Sequence, residues 1–93
     1  MIKSFADRET KRFWETGQSR RIPAAIQQRA LDKLQMLNAA ETIANLRLPP
    51  SNNLERLIGD RAGRWSIRVN RQYRIVFRFD AGSAHDVEFV DYH

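Results

Sequence analysis

Between Gly63 and Asp80 the chain alternates. Trp65, Ile67 and Val69, then Tyr73, Ile75, Phe77 and Phe79, occupy odd positions, while Arg64, Arg68, Arg74 and Arg78 occupy even ones. A period of two is that of a β-strand with one buried face. Residues opposed in a hairpin share a face, so this parity requires an odd-numbered loop near Asn70 to Gln72. A three-residue loop sets Trp65 against Phe77, Ile67 against Ile75 and Val69 against Tyr73, a favourable cross-strand ladder. The segment "DAGSAH" predicts the next turn and "DVEFVDYH" a last strand, on which Val87 and Phe89 continue the buried parity.

Upstream the period lengthens. Asp7 can cap a helix running to about Thr16, with Gly17 as its stop signal. Pro23 is suited to the first turn of a second helix, where Ile26, Ala30, Leu34 and Leu37 recur at helical spacing to about Ala40. Ile2 to Phe5 is short and apolar and predicts a strand, and "RLPPSNN" is a loop dividing the helical half from the strand half. The predicted fold class is α+β: two N-terminal helices packed on one face of a small, mostly antiparallel sheet, in the order βααβββ.

Ninety-three residues, 42% apolar and 29% charged, predict a single folded domain over 1–93. There is no cysteine and no long apolar stretch, so disulfides, thiolate zinc sites, a signal peptide and a membrane span are not expected, and the cytoplasm is the expected location. Two distant histidines and four isolated glycines predict neither a metal site nor a phosphate loop, and no cofactor is expected.

The net charge of +5 favours polyanionic partners. Thirteen of the 16 basic residues are Arg, and between Arg56 and Arg78 seven Arg stand against one acid, Asp60. The hairpin register sets Arg68 opposite Arg74 and Arg64 opposite Arg78, where like charges repel. One such pair reads as a solvated face. Two stacked pairs favour an anion-binding surface, with Arg61, Arg64, Arg68 and Arg78 as its candidates. Trp65 and Tyr73 read as core, Trp14 as packing, and Arg8, Lys11, Arg12, Arg20 and Arg21 as solvated positions.

The last three residues, Asp91, Tyr92 and His93, can each exchange a proton. Val87, Phe89 and Val90 are the residues that would anchor them. Strict alternation would bury Asp91, so either an arginine pairs with it or the strand bends to the surface. Both outcomes bring the tripeptide to the arginine face.

The opening "MIKSF", the segment "GDRAGRWSIRVN", the strand "YRIVF" and the ending "VDYH" together resemble the HigB toxins of the RelE/ParE superfamily, over nearly the whole chain. The resemblance implies a microbial-RNase-like fold, ribosome-dependent cleavage of translating mRNA, and neutralisation by a helix-turn-helix antitoxin of the HigA type. It implies catalytic roles for Asp91, Tyr92 and His93, and a contact of Arg74 with the scissile phosphate. Some members carry a His and a Lys on the strand that here reads "LERLIGD". Glu55 and Ile58 hold those places, which makes Glu55 the candidate replacement base.

These groups suit metal-free cleavage in which the RNA's 2′-hydroxyl attacks the adjacent phosphate. That chemistry needs a base, an acid and cations near phosphorus. Acid or base groups contribute ~100- to 10,000-fold each, and preplaced guanidinium groups a comparable amount. Two rivals use the same scaffold or charge: a ParE-like inhibitor of a topoisomerase (gyrase) that cleaves nothing, and a basic RNA-binding module. An inhibitor has no need of the Asp91–Tyr92–His93 ending. A module would interleave exposed aromatics with its basic residues, whereas here the aromatics take the opposite parity.

Overall fold

The computed structural model describes residues 1–91; Tyr92 and His93 lie outside the described residues. Asp7 sits in extended backbone, and its carboxylate accepts from the Thr10 N–H at 2.6 Å, which starts α1 (Arg8–Thr16). Gly17 ends the helix at φ 77°, a left-handed conformation that a residue with a Cβ resists, and its N–H donates to the Phe13 carbonyl. Both boundaries fall where the sequence places them. The second helix, α2 (Gln27–Ala39), begins later than predicted. Pro23 leads instead into a 3-10 turn at Ala24–Ile26, and the Gln27 side-chain amide closes the approach by donating to the Ser19 and Ile22 carbonyls.

Four strands follow: β1 (Glu55–Arg56), β2 (Trp65–Arg68), β3 (Tyr73–Asp80) and β4 (Ser83–Asp91). They pair antiparallel in the order β1-β2-β3-β4. The hairpin register is the one the parity demanded, with Trp65 opposite Phe77, Ile67 opposite Ile75 and Arg68 opposite Arg74. The loop is Asn70–Arg71–Gln72, closed by a Val69 N–H bond to the Tyr73 carbonyl at 3.0 Å. Asn70 stabilises it from within, its Oδ1 accepting from the Gln72 and Tyr73 N–H groups at 2.9 and 2.8 Å.

The odd-numbered side of this sheet packs on the helices. Phe13, Ala30, Leu34 and Leu37 meet Ile67, Ile75, Phe77 and Val87, all fully buried. Burial of each large side chain is worth about 1.5–3 kcal/mol. Trp65, Tyr73 and Trp14 pack partly buried against this core.

Three features depart from the predicted pattern. Ile2 to Phe5 forms no regular strand but two isolated parallel bridges, to Ala84 and Val87. The cause lies in β4, where Val76 faces Glu88 but Arg78 faces His85, so β4 carries one extra residue. Asp86 takes the strain at φ 51°. Its N–H donates to the Ser4 hydroxyl at 2.9 Å, so the N-terminal segment follows the bulge rather than a regular ladder.

The bulge also shifts parity, which is why Ala84 is buried on the same side as Val87. Finally, the even-numbered side is not a uniformly solvated arginine face. Arg74 is 7% exposed, and Ser66 and Val76 beside it are fully buried. The chain from Asn53 to Arg64 accounts for this: Asn53 and Glu55 reach Arg74, and Arg61 and Arg64 reach Glu88.

Candidate active site

Arg74 sits at the centre of the even-numbered side. Its Nε donates to the buried Ser66 hydroxyl at 2.8 Å, and its Nη2 donates to the Asn53 carbonyl. Two bonds from different nitrogens fix the plane of the guanidinium. Its Nη1 then lies 3.6 Å from the carboxylate of Glu55. Sheet register explains the meeting: Glu55 pairs with Ser66, Ser66 with Val76 and Val76 with Glu88, one row across four strands. The next row is Arg68, Arg74 and Val90. A rigid, buried cation and a half-exposed carboxylate thus lie side by side in a preorganised arrangement.

The other candidate arginines divide by their partners. Arg61 and Arg64 both pair with Glu88, and Arg78 with Asp86 at 2.8 Å. The Arg78 hydrogen bond holds the Asp86 carboxyl below the usual carboxylate range. Arg68 instead donates from Nε to the Asn70 carbonyl at 3.1 Å and joins no ion pair among the described residues. Ile58 is 89% exposed and lies outside the strand.

The approach to the tail is anchored. The Phe89 N–H donates to the Thr10 hydroxyl at 3.1 Å, and the same hydroxyl donates to Asp7, tying β4 to the first turn of α1. The Phe89 ring stacks on Tyr73 with centroids 4.9 Å apart. Asp91 pairs with Tyr73, which places it on the opposite pleat from Arg74, exposed at the strand end, and it accepts from the Gln72 amide at 3.1 Å. The strand end is thus at the surface, and Asp91 lies near Arg61 and Arg21 rather than on the pleat of Arg74 to which the sequence assigned the tail. Asp91 shares a hollow of ≈550 Å³ with Arg61, Glu88, Arg21 and Asp7. The structure therefore gathers Glu55, Arg68 and Arg74 on the sheet, and Asp91 with Arg61 around the end of β4. Tyr92 and His93, the remaining predicted site residues, lie outside the described residues.

Sequence alone does not reveal the supports. Ser66 and the Asn53 carbonyl orient Arg74. Asn52, fully buried, donates to the Leu46 and Leu48 carbonyls at 3.2 and 3.3 Å and accepts from Lys33, fixing the loop that carries Asn53 and Glu55. Burial, and then nearby Arg29, lower the Lys33 pKa. A small hydroxyl residue in the middle of an arginine row was the one available signal, and it pointed to Ser66.

Two solved structures share this fold. A YoeB-YefM complex from Staphylococcus aureus matches with a TM-score of 0.64 at 14% identity, covering 100% of this chain and 98% of that one. A YoeB/ParE toxin from Agrobacterium tumefaciens matches at 0.56 and 22%, covering 99% of each. Sequence relatives carry the comparison further. Toxin HigB-1 of Vibrio cholerae is 40% identical over 85 residues, 90% of each chain. Endoribonuclease HigB of Proteus vulgaris is 39% identical over 93 residues, the full length of both. The family model for the RelE-like toxin of the type II toxin–antitoxin system HigB matches residues 3–93, and the chain belongs to that family.

Proposed function

We propose that this chain is an endoribonuclease toxin that cuts mRNA on translating ribosomes and is held in check by an antitoxin of the HigA type. The observation that carries the reading is the Arg74–Glu55 pair, a locked guanidinium beside an accessible carboxylate. The full-length likeness to Endoribonuclease HigB supports it. Arg74, with Arg68 across the hairpin, holds the scissile phosphate and offsets the charge growing on its oxygens. Glu55 takes the proton of the 2′-hydroxyl as its oxygen attacks phosphorus. The bond to the 5′-oxygen breaks, and His93 delivers a proton to that leaving group. The products are a 2′,3′-cyclic phosphate and a 5′-hydroxyl.

Tyr92 stacks on a base or bonds the phosphate, and Asp91 orients His93. Arg61, Arg64 and Arg78 exchange their internal carboxylates for RNA phosphates as the message enters. The ribosome supplies the attack geometry, which relieves the protein of binding a free RNA in one conformation. Cells inducing the protein are expected to stop growing, with new transcript ends inside translated frames. Arg74→Ala and His93→Ala each remove those ends. DNA damage without transcript cuts points to topoisomerase inhibition, and healthy growth with salt-sensitive RNA binding to a binding module; either overturns the nuclease reading.

A further inference from the structure

The arginines of this chain are not equivalent as charges. Arg61, Arg64, Arg74 and Arg78 each face a carboxylate: Glu88, Glu55 or Asp86. Arg29, Arg68 and Arg71 form no ion pair among the described residues, although Arg29 also borders Asp32, and the fold brings the three together. They line one open hollow of ≈410 Å³ with Ser51, Val69 and Asn70, where the side of α2 meets the Asn70–Gln72 turn. No acidic residue lines it among the described residues. It continues past Ser51 toward Lys33, where Asp32 is the first carboxylate. A hollow lined by three arginines and, among the described residues, by no carboxylate therefore lies beside the Arg74 site rather than on it.

Geometry connects the two. Arg68 is the cross-strand partner of Arg74, and such partners stand about 4.5–5.5 Å apart. Arg68 is thus common to the Arg74 row and to the lining of the hollow. Arg68 is held toward the turn by its bond to the Asn70 carbonyl, so its remaining edge is presented to the same hollow as Arg71. The large apolar side chains that are exposed, Met1, Leu48 and Ile58, all lie elsewhere. Protein hot spots are enriched in Trp, Tyr and Arg, and among the described residues no Trp, Tyr or other aromatic side chain lines this hollow. Planar guanidinium forks match phosphate oxygens in pairs.

We propose that the hollow formed by Arg29, Arg68 and Arg71 is a phosphate subsite for single-stranded RNA, taking the stretch of message that flanks the phosphate at Arg74. The identity of the ligand as the substrate strand rests on the nuclease reading; binding of an RNA backbone does not. Arg29 and Arg71 are exposed on the surface, so their replacement leaves the fold intact.

The test is anisotropy of a short, labelled 2′-O-methyl RNA, which lacks the nucleophile and cannot be cut, over a range of salt concentrations. Wild type is compared with Arg29→Gln/Arg71→Gln and with Arg61→Gln/Arg78→Gln. Each single-strand phosphate contact contributes about 0.7 to the slope of log affinity against log salt, so the first pair is expected to lower that slope by about 1.4. The second pair lowers it by less, because Arg61 and Arg78 must release an internal carboxylate for every phosphate they take. An unchanged slope in the first variant, or equal losses in both, overturns the subsite. So does a first variant that binds RNA normally but loses affinity for the antitoxin, which would make the hollow a protein surface. If the slope falls as expected but wild type cuts no message on ribosomes, the subsite stands and the nuclease reading fails. If wild type cuts and the slope does not move, the reverse holds.

Discussion

The two sides of the sheet are made from alternate residues of the same four strands, yet they are held by different physics. On the helix side, Ile67, Ile75, Phe77 and Val87 lose all contact with water against α1 and α2, and non-directional burial does the holding. On the opposite side, Ser66, Arg74 and Val76 are also buried, but a directional network fixes them, running from Lys33 and Asn52 through the 53–55 segment to Arg74. A side held by packing tolerates exchange of one apolar residue for another. A side held by donors and acceptors does not, because every lost partner leaves a buried polar atom orphaned. The first side makes the protein stable. The second makes one arginine point in one direction.

Substitutions separate the two. The largest loss of stability is expected on the packed side, where Phe77→Ala should cost about 3–5 kcal/mol in chemical denaturation, with activity falling only as the folded fraction falls. Asn52→Ala comes next, at about 3 kcal/mol, because it leaves the Lys33 ammonium only its longer bond to the Ser51 hydroxyl and takes the donor from two backbone carbonyls. Ser66→Ala should cost about 1.5–2 kcal/mol, the worth of a buried hydrogen bond to a charged group. It should lower cleavage more than its denaturation midpoint explains, since it frees the plane of Arg74.

The smallest effect is expected at Asp86→Asn, which keeps the left-handed backbone but loses the charged bond from Arg78. A carboxyl held below its ordinary range stabilises the fold above that range and stops doing so as pH falls through the depressed value. Melting temperatures of wild type and variant should therefore differ most near neutrality and converge in acid.

What the sequence disclosed follows the same division. The hairpin register, the odd-length loop, the α1 caps and the helix face of Ala30, Leu34 and Leu37 were legible because periodicity and capping are local or nearly so. The α2 start was misplaced because a 3-10 turn and a helix share the same proline signal. The N-terminal bridges and the β4 bulge were hidden because Asp86 carries no mark of its backbone conformation. The arginine side was legible as composition but not as architecture. Nothing in the alternation of Arg64, Arg68, Arg74 and Arg78 says that three face carboxylates, that one of those three is buried, and that the fourth lines a hollow with Arg29 and Arg71. Long-range pairing decides that. Glu55, named only by resemblance, does lie against Arg74.

The division of labour is tested most directly by single-turnover cleavage of mRNA on purified translating ribosomes, comparing wild type with Arg74→Lys at equal folded concentration. Lysine keeps the charge but not the two fixed bonds to Ser66 and Asn53, so a loss of ~100-fold or more is predicted. A lysine variant that cuts at the wild-type rate would contradict the account, because the oriented guanidinium would then have no part in the chemistry.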